Sequence, residues 1–136
     1  GDNNEPYGIF GYPDYPSGHL RSTAYDLGLY LGALASKGEL NGKRILSAES
    51  VETLFETPFE DIAWWQGLAW KWSKIDDRWV VGHGGGDSGA TTEIILDPYK
   101  GIGVVVLANV DGTDARKESR LKIQRALLEI GDELLQ

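Results

Sequence analysis

Neither cysteine nor methionine occurs in these 136 residues, and histidine occurs only twice. Without cysteine there is no disulfide and no thiolate metal ligand, so the redox compartment leaves no mark on the chain. Two histidines as far apart as His19 and His83 argue against a structural zinc cluster. With no initiator methionine, Gly1-Asp-Asn-Asn-Glu5 reads as a processed or recombinant start, which leaves room for a targeting segment ahead of it. Positive charge is scarce: 13 Lys and Arg stand against 21 Asp and Glu, giving a net charge of −8 and a pI near 4.7. That balance argues against nucleic acid and anionic membrane surfaces as partners. Long apolar runs are missing too. The stretch over residues 102–108 is strand-sized, well short of the roughly 18 residues of a membrane span.

What remains is enough for a core. Hydrophobic residues make up 41% and aromatics 10%, which fits one globular domain, or part of one, over residues 1–136. Residues 1–18, rich in Gly, Pro and Tyr, read as an ordered loop. Thr23-Ala-Tyr-Asp26 then offers a helix start, a capping hydroxyl with an acid three residues on. Leu27, Tyr30, Leu31 and Leu34 form one apolar helical face, and Gly38 is the natural stop. Asn41-Gly42 signals a type I′ turn. Ser47 caps a second helix with Val51, Leu54 and Phe55 on its buried side, ended by Thr57-Pro58.

From Gln66 the period changes to two. Leu68, Trp70 and Trp72 alternate with smaller or polar neighbours, and Asp76-Asp77 can turn the chain back into Arg78-Trp-Val-Val-Gly-His83. Residues 91–96 and 102–108 form another hairpin through Asp97-Pro-Tyr-Lys-Gly101. Residues 113–135 are helical, with Ile123, Leu127, Ile130 and Leu134 as the stripe expected to face the sheet, flanked by Leu121, Leu128 and Leu135. The expected fold class is α+β: an antiparallel sheet of about four strands flanked by helices, with the long C-terminal helix packed on it. One sheet face is then expected to lack cover.

The stretch that carries chemistry is Gly82-His-Gly-Gly-Gly-Asp-Ser-Gly89. Strand parity sends His83 to the side of Trp79 and Val81, and the run Gly84, Gly85, Gly86 is expected to leave the strand as a loop. An imidazole beside bare N–H groups suits the stabilisation of an oxyanion. The bland alternative is a structural strand histidine followed by a glycine turn. Among short motifs, His83-Gly-Gly-Gly86 lacks the Gly-x-Ser-x-Gly turn that would make it an α/β-hydrolase loop. Gly86-Asp-Ser-Gly89 lacks the two barrels and the upstream His and Asp of trypsin-like proteases. Ser119-Arg-Leu-Lys122 matches Ser-x-x-Lys, but eight serines and seven lysines predict about 0.4 such matches by chance. Ser119 and Lys122 therefore read as a solvated helix face, and Tyr15-Pro-Ser17 is likewise set aside.

Several segments together resemble class C β-lactamase-like serine hydrolases and penicillin-binding proteins. They are Tyr15-Pro-Ser-Gly-His-Leu-Arg-Ser-Thr-Ala-Tyr-Asp-Leu27, Gly38-Glu-Leu-Asn-Gly-Lys-Arg-Ile-Leu-Ser47, Gly82-His-Gly-Gly-Gly-Asp-Ser-Gly89 and Asp97-Pro-Tyr-Lys-Gly-Ile-Gly-Val-Val-Val-Leu-Ala-Asn109. The resemblance implies the C-terminal portion of the β-lactamase/transpeptidase-like fold, with the nucleophilic Ser-x-x-Lys and the Tyr-x-Asn expected before residue 1. His83-Gly84-Gly85 stands where the family has Lys-Thr/Ser-Gly or His-x-Gly. His83 would tune proton traffic or hold a substrate anion, and the Gly86 N–H would supply half of an oxyanion hole. Gly84 replaces a hydroxyl residue that grips the β-lactam carboxylate, which favours an esterase, amidase or peptidase over a β-lactamase. The resemblance implies acyl-serine chemistry with no metal or organic cofactor, on a small ester, amide or peptide substrate. It favours an extracytoplasmic setting. The chain alone is expected to be inactive, and to associate with itself or with the missing N-terminal half. The rival expectation is a non-catalytic binding or structural module.

Overall fold

The computed structural model describes residues 20–136, together with Gly8, Gly11 and Gly18. The aromatic residues of the expected opening loop, Tyr15-Pro-Ser17 and His19 fall outside the described residues. The chain runs α1 (Ala24–Ala35), β1 (Glu39–Leu40), β2 (Lys43–Arg44), α2 (Ala48–Phe55), α3 (Glu60–Ala63), β3 (Lys71–Ile75), β4 (Arg78–Asp87), β5 (Ala90–Asp97), β6 (Ile102–Ala108) and α4 (Asp114–Leu134). This is the expected α+β arrangement, with four strands in the antiparallel order β3-β4-β5-β6 and a small β1-β2 hairpin apart.

Local chemistry sets most boundaries. Thr23 accepts the Asp26 N–H at 3.1 Å to start α1, and Ser47 and Thr113 do the same for α2 and α4. Asn41 and Gly42 both have positive φ, 51° and 74°, the pairing a type I′ turn demands. At the β5–β6 turn, the Asp97 carboxylate accepts the N–H groups of Tyr99 and Lys100 at 2.9 and 3.0 Å. The strand expected from Gln66 starts later. Gly67 and Trp70 close a turn, so Trp70 and Trp72 pack but Leu68 lies exposed before β3.

Both sheet faces are covered, contrary to the expectation that one is bare. On one face Val81 and Leu96 pack with Leu31 and Leu34 of α1, Val51 of α2 and Trp70. The Trp72 indole donates to the Phe55 carbonyl at 2.8 Å, fastening α2 to β3. On the other face Val80, Ile95, Ile102 and Val104 pack with Leu128 of α4. Two glycines permit the close approach of helices. A Cβ on Gly103 would come within 2.9 Å of the Leu31 Cβ, and one on Gly131 within 2.5 Å of Ile102.

The rotation of α4 differs from the expected one. Gln124 and Leu128 are buried, whereas Ile123, Leu127, Ile130 and Leu134 face away from the sheet. Charge explains the choice. Facing the sheet this way lets Arg125 chelate Asp76 at 2.9–3.1 Å, Arg120 meet Glu93 at 2.7 Å, and Asp132 reach Arg78 and Lys100. Arg78 is mostly buried and also lies 3.3 Å from the buried Asp97 carboxylate, so β4, the β5–β6 turn and α4 share one ionic cluster.

Two stability measurements follow. Gly103→Val drives a methyl pair into Leu31 and is expected to cost about 1–3 kcal/mol in urea unfolding; an unchanged midpoint would mean that α1 does not ride on β6. The hydrogen bond from Lys100, opposed by desolvation and reinforced by Arg78, holds the Asp132 carboxyl below its usual range. Its stabilising effect is present above the ordinary carboxylate pKa and is lost as pH falls through the lowered folded value. Asp132→Asn should therefore melt below wild type at neutral pH, with the gap closing below about pH 4. A gap of equal size at pH 7 and pH 2.5 would show that the charge plays no part.

Candidate active site

The glycine run does not leave the strand. β4 pairs with β5 in unbroken register, Val81↔Leu96, Gly82↔Ile95, His83↔Ile94, Gly84↔Glu93, Gly85↔Thr92, Gly86↔Thr91 and Asp87↔Ala90. The expected loop is instead a tight turn at Ser88-Gly89, with Gly89 at φ 73°. It is clamped from outside, because the Gly89 N–H donates to Asp111 at 2.6 Å and the Thr91 hydroxyl to the Val110 carbonyl at 2.8 Å. His83 is thus inside a strand, not at its end. The cause is that glycine, though it weakens a strand interior, still carries the N–H and C=O of a ladder, and the neighbouring β5 residues 91–94, Thr-Thr-Glu-Ile, supply strand formers opposite it.

Parity holds through the run. With no bulge in the register, His83 projects from the face of Trp79 and Val81, the face covered by α1 and α2. Val81 is fully buried, yet His83 two residues on is exposed, since the helical cover ends between them. On its other side β4 pairs with β3 only from Arg78 to Gly82. Beyond Gly82, the β3 side of His83, Gly84, Gly85, Gly86 and Asp87 has no strand neighbour among the described residues. His83 makes no side-chain hydrogen bond among them either.

The three glycines are not equivalent. Gly85 is hemmed in, because a Cβ there would meet the Thr92 hydroxyl at 2.8 Å. Gly84 and Gly86 have room, with the nearest atoms to such a Cβ at 3.7 and 3.8 Å, and none of the three has positive φ. Neither turn geometry nor packing against the described residues asks for glycine at 84 or 86. What these two positions leave is a bare backbone surface on an open strand segment beside an exposed imidazole. Such a surface can admit a flat acyl group close to N–H donors.

The other sequence candidates are dispersed. Ser119 sits on the exposed side of α4 and returns its hydroxyl to the Ala115 carbonyl at 3.1 Å, the usual behaviour of a mid-helix serine. Ser88 occupies the turn, its N–H on the Asp87 carboxylate at 2.6 Å. Neither is paired with a base among the described residues. Those residues hold no group of three or more His, Cys, Asp or Glu arranged to bind a metal ion, and no helix among them is long and apolar enough to cross a membrane. Sequence reasoning missed the ends of the open segment, set by the late start of β3 at Lys71. The signal was Gly67 itself, a residue that weakens a strand interior; in the structure its N–H closes a turn onto the Trp70 carbonyl at 2.8 Å, and a Cβ there would meet the Leu54 and Trp70 carbonyls at 2.8 and 2.9 Å.

A protein-family model described as Beta-lactamase matches residues 1–128. Searches of curated proteins and of solved structures find no match. A family match over that span, on an antiparallel sheet flanked by helices and closed by a long C-terminal helix, establishes that the chain belongs to the beta-lactamase family.

Proposed function

We propose that the chain forms the substrate-facing strand of a serine acyl hydrolase acting on an ester, amide or peptide, and that it is the C-terminal part of that enzyme. The observation that supports this reading most is the bare backbone at Gly84 and Gly86, which no turn or contact among the described residues requires. In this reading a serine hydroxyl from a segment outside the described residues attacks the acyl carbonyl. The alcohol or amine leaves with a proton, and water then releases the acid from the acyl-serine. His83 holds a substrate anion or passes the proton, the Gly86 N–H shares the oxyanion, and Gly85 keeps the strand flat against Thr92. With Gly84 at the position next to His83, no hydroxyl is offered to a β-lactam carboxylate. That supports an esterase, amidase or peptidase rather than a β-lactamase. The nucleophile-bearing segment would add strands beside β6, whose outer edge has no strand neighbour among the described residues. An extracytoplasmic setting accompanies this reading.

One specific observation favours the non-catalytic alternative: neither Ser88 nor Ser119 is paired with a base. Both readings make this chain inert by itself. It should not hydrolyse p-nitrophenyl esters or nitrocefin above background, and a stoichiometric fluorophosphonate adduct on any of its serines would overturn that expectation. The two readings part when the chain is joined to its nucleophile-bearing segment. There His83→Ala is expected to lower kcat/KM about 10²-fold or more while the melting temperature hardly moves, because the ring is exposed. Gly84→Ala should stay within about 0.5 kcal/mol of wild type or gain slightly in stability. If the joined protein shows no acyl transfer, or if His83→Ala spares kcat/KM of the folded protein, the catalytic reading is wrong.

A further inference from the structure

The β1-β2 hairpin carries a reactive pair at its tip. Asn41-Gly42 is the only Asn-Gly in the chain, and both residues are exposed. Among the described residues neither the Asn41 carboxamide nor the Gly42 N–H has a hydrogen-bond partner. A Cβ built on Gly42 would meet nothing within 4 Å, so no neighbour stands around its nitrogen. Glycine also lacks the side chain that would obstruct an approach of that nitrogen to the Asn41 side chain. An electrophilic carbonyl and an unengaged amide nitrogen therefore sit on adjacent residues in open solvent.

Comparable pairs elsewhere are held or hindered. Asn109 is exposed too, but it precedes Val110, whose branched Cβ crowds its own N–H. Asp111 precedes Gly112, but its carboxylate accepts the Gly89 N–H at 2.6 Å and its carbonyl accepts from Arg116 at 2.8 Å. Asn3 and Asn4 precede Asn and Glu, and neither is followed by glycine.

We propose that Asn41 is a site of self-modification, converted to aspartate and isoaspartate by attack of its own backbone. The Gly42 nitrogen bonds to the Asn41 side-chain carbonyl carbon and gives up its proton. The side-chain amide takes a proton and leaves as ammonia, which closes a succinimide ring. Water then opens the ring at either carbonyl. One opening gives aspartate; the other gives isoaspartate, whose main chain runs through the side-chain methylene. Each product bears a negative charge that the amide lacked. The fold sets the pace, because Asn41 at φ 51° and Gly42 at φ 74° are held in the turn by the pairs Leu40↔Lys43 and Glu39↔Arg44. Arg44 reinforces that grip, donating to the Lys37 and Leu46 carbonyls at 3.0 Å and to Glu39 at 2.6 Å. Ring closure needs the Gly42 nitrogen to swing toward the side chain, so the turn must open first. Isoaspartate lengthens the backbone of a turn fitted to two residues. It therefore disturbs the register that seats Leu40 over Gly32 of α1, where a Cβ would lie 3.6 Å from the Leu40 methyls. None of these residues takes part in the acyl-transfer reading, and the modification stands or falls without it.

The full 136-residue chain, held in mildly alkaline buffer at physiological temperature, provides the test. Anion exchange should show a more acidic form growing with time. Peptide mapping should place it at Asn41 as a mixture of aspartate and isoaspartate, with Asn109 still an amide. Asn41→Gly keeps a Gly-Gly pair suited to the same turn and should abolish this form. Arg44→Ala should speed conversion about threefold, toward the rate of the urea-unfolded chain. Glu39→Gln, which weakens one of the three Arg44 bonds, should fall between wild type and Arg44→Ala, and far-UV spectra confirm that each variant is folded. No acidic form after a time in which the unfolded chain converts would overturn the proposal. So would an acidic form that persists in Asn41→Gly. Aspartate without isoaspartate would overturn the succinimide route, and equal rates in wild type, Glu39→Gln and Arg44→Ala would overturn control by the hairpin.

Discussion

The site depends on one constraint, the uninterrupted pairing of β4 with β5 from Val81 to Asp87. A single bulge in that ladder would carry His83 to the opposite face, because side chains in a strand alternate. Three successive glycines are the least obvious residues to hold such a register, since they pay the largest loss of backbone freedom and add no side-chain contact. Support comes from their surroundings. Thr92 crowds Gly85, and Asp111 and Val110 fasten the Ser88-Gly89 turn from the loop that follows β6. Bareness is therefore kept in a strand that other elements hold straight.

The two faces of the sheet divide the work. The α1 and α2 side is closed by aliphatic and aromatic contacts, with the Phe55 ring edge-on to Trp70 at 5.7 Å and the Trp72 indole hydrogen-bonded to the α2 end. The α4 side is closed by fewer apolar contacts and by ion pairs that reach from Asp76, Arg78, Glu93 and Lys100. Geometry at an end of the sheet makes this natural. The β3–β4 and β5–β6 turns bring Asp76, Arg78, Asp97 and Lys100 together, and a helix laid across them meets charge before it meets core. Pairing those charges fixes how α4 is rotated, and hydrophobic burial has to accept what that rotation leaves.

Much of the architecture was legible because it rests on short-range chemistry. Caps at Thr23, Ser47 and Thr113, the Asn41-Gly42 turn and the Asp97-to-Gly101 turn each involve residues within a few positions of one another. The period-two runs of β5 and β6 and the face on which His83 emerges belong to the same class, since strand parity needs only the residues themselves. The family resemblance was likewise carried by ordered segments of sequence, and the family match over residues 1–128 agrees with it at that level.

What the sequence by itself determined, then, was the kind of the main elements, the ends of the capped helices and of the β5–β6 hairpin, and the side of the strand that bears His83. Helix α3 was not among the elements expected, and the start of β3 and the end of β4 lay four or five residues from where they were expected. Tertiary structure decided the rest. Whether Gly84 to Gly86 loop or pair depends on β5 being alongside, for glycine has no local preference strong enough to choose. Which side of α4 is buried depended on Asp76, Arg78, Glu93 and Lys100, residues 27 to 54 positions away from their partners along the chain, and apolar periodicity cannot see such partners. Leu68 misled for a related reason: alternation continues through the Gly67–Trp70 turn, but the hydrogen bonds that define a strand begin only at Lys71. Periodicity reports which side chains can share a face, and only the partner on the other side determines whether that face is covered.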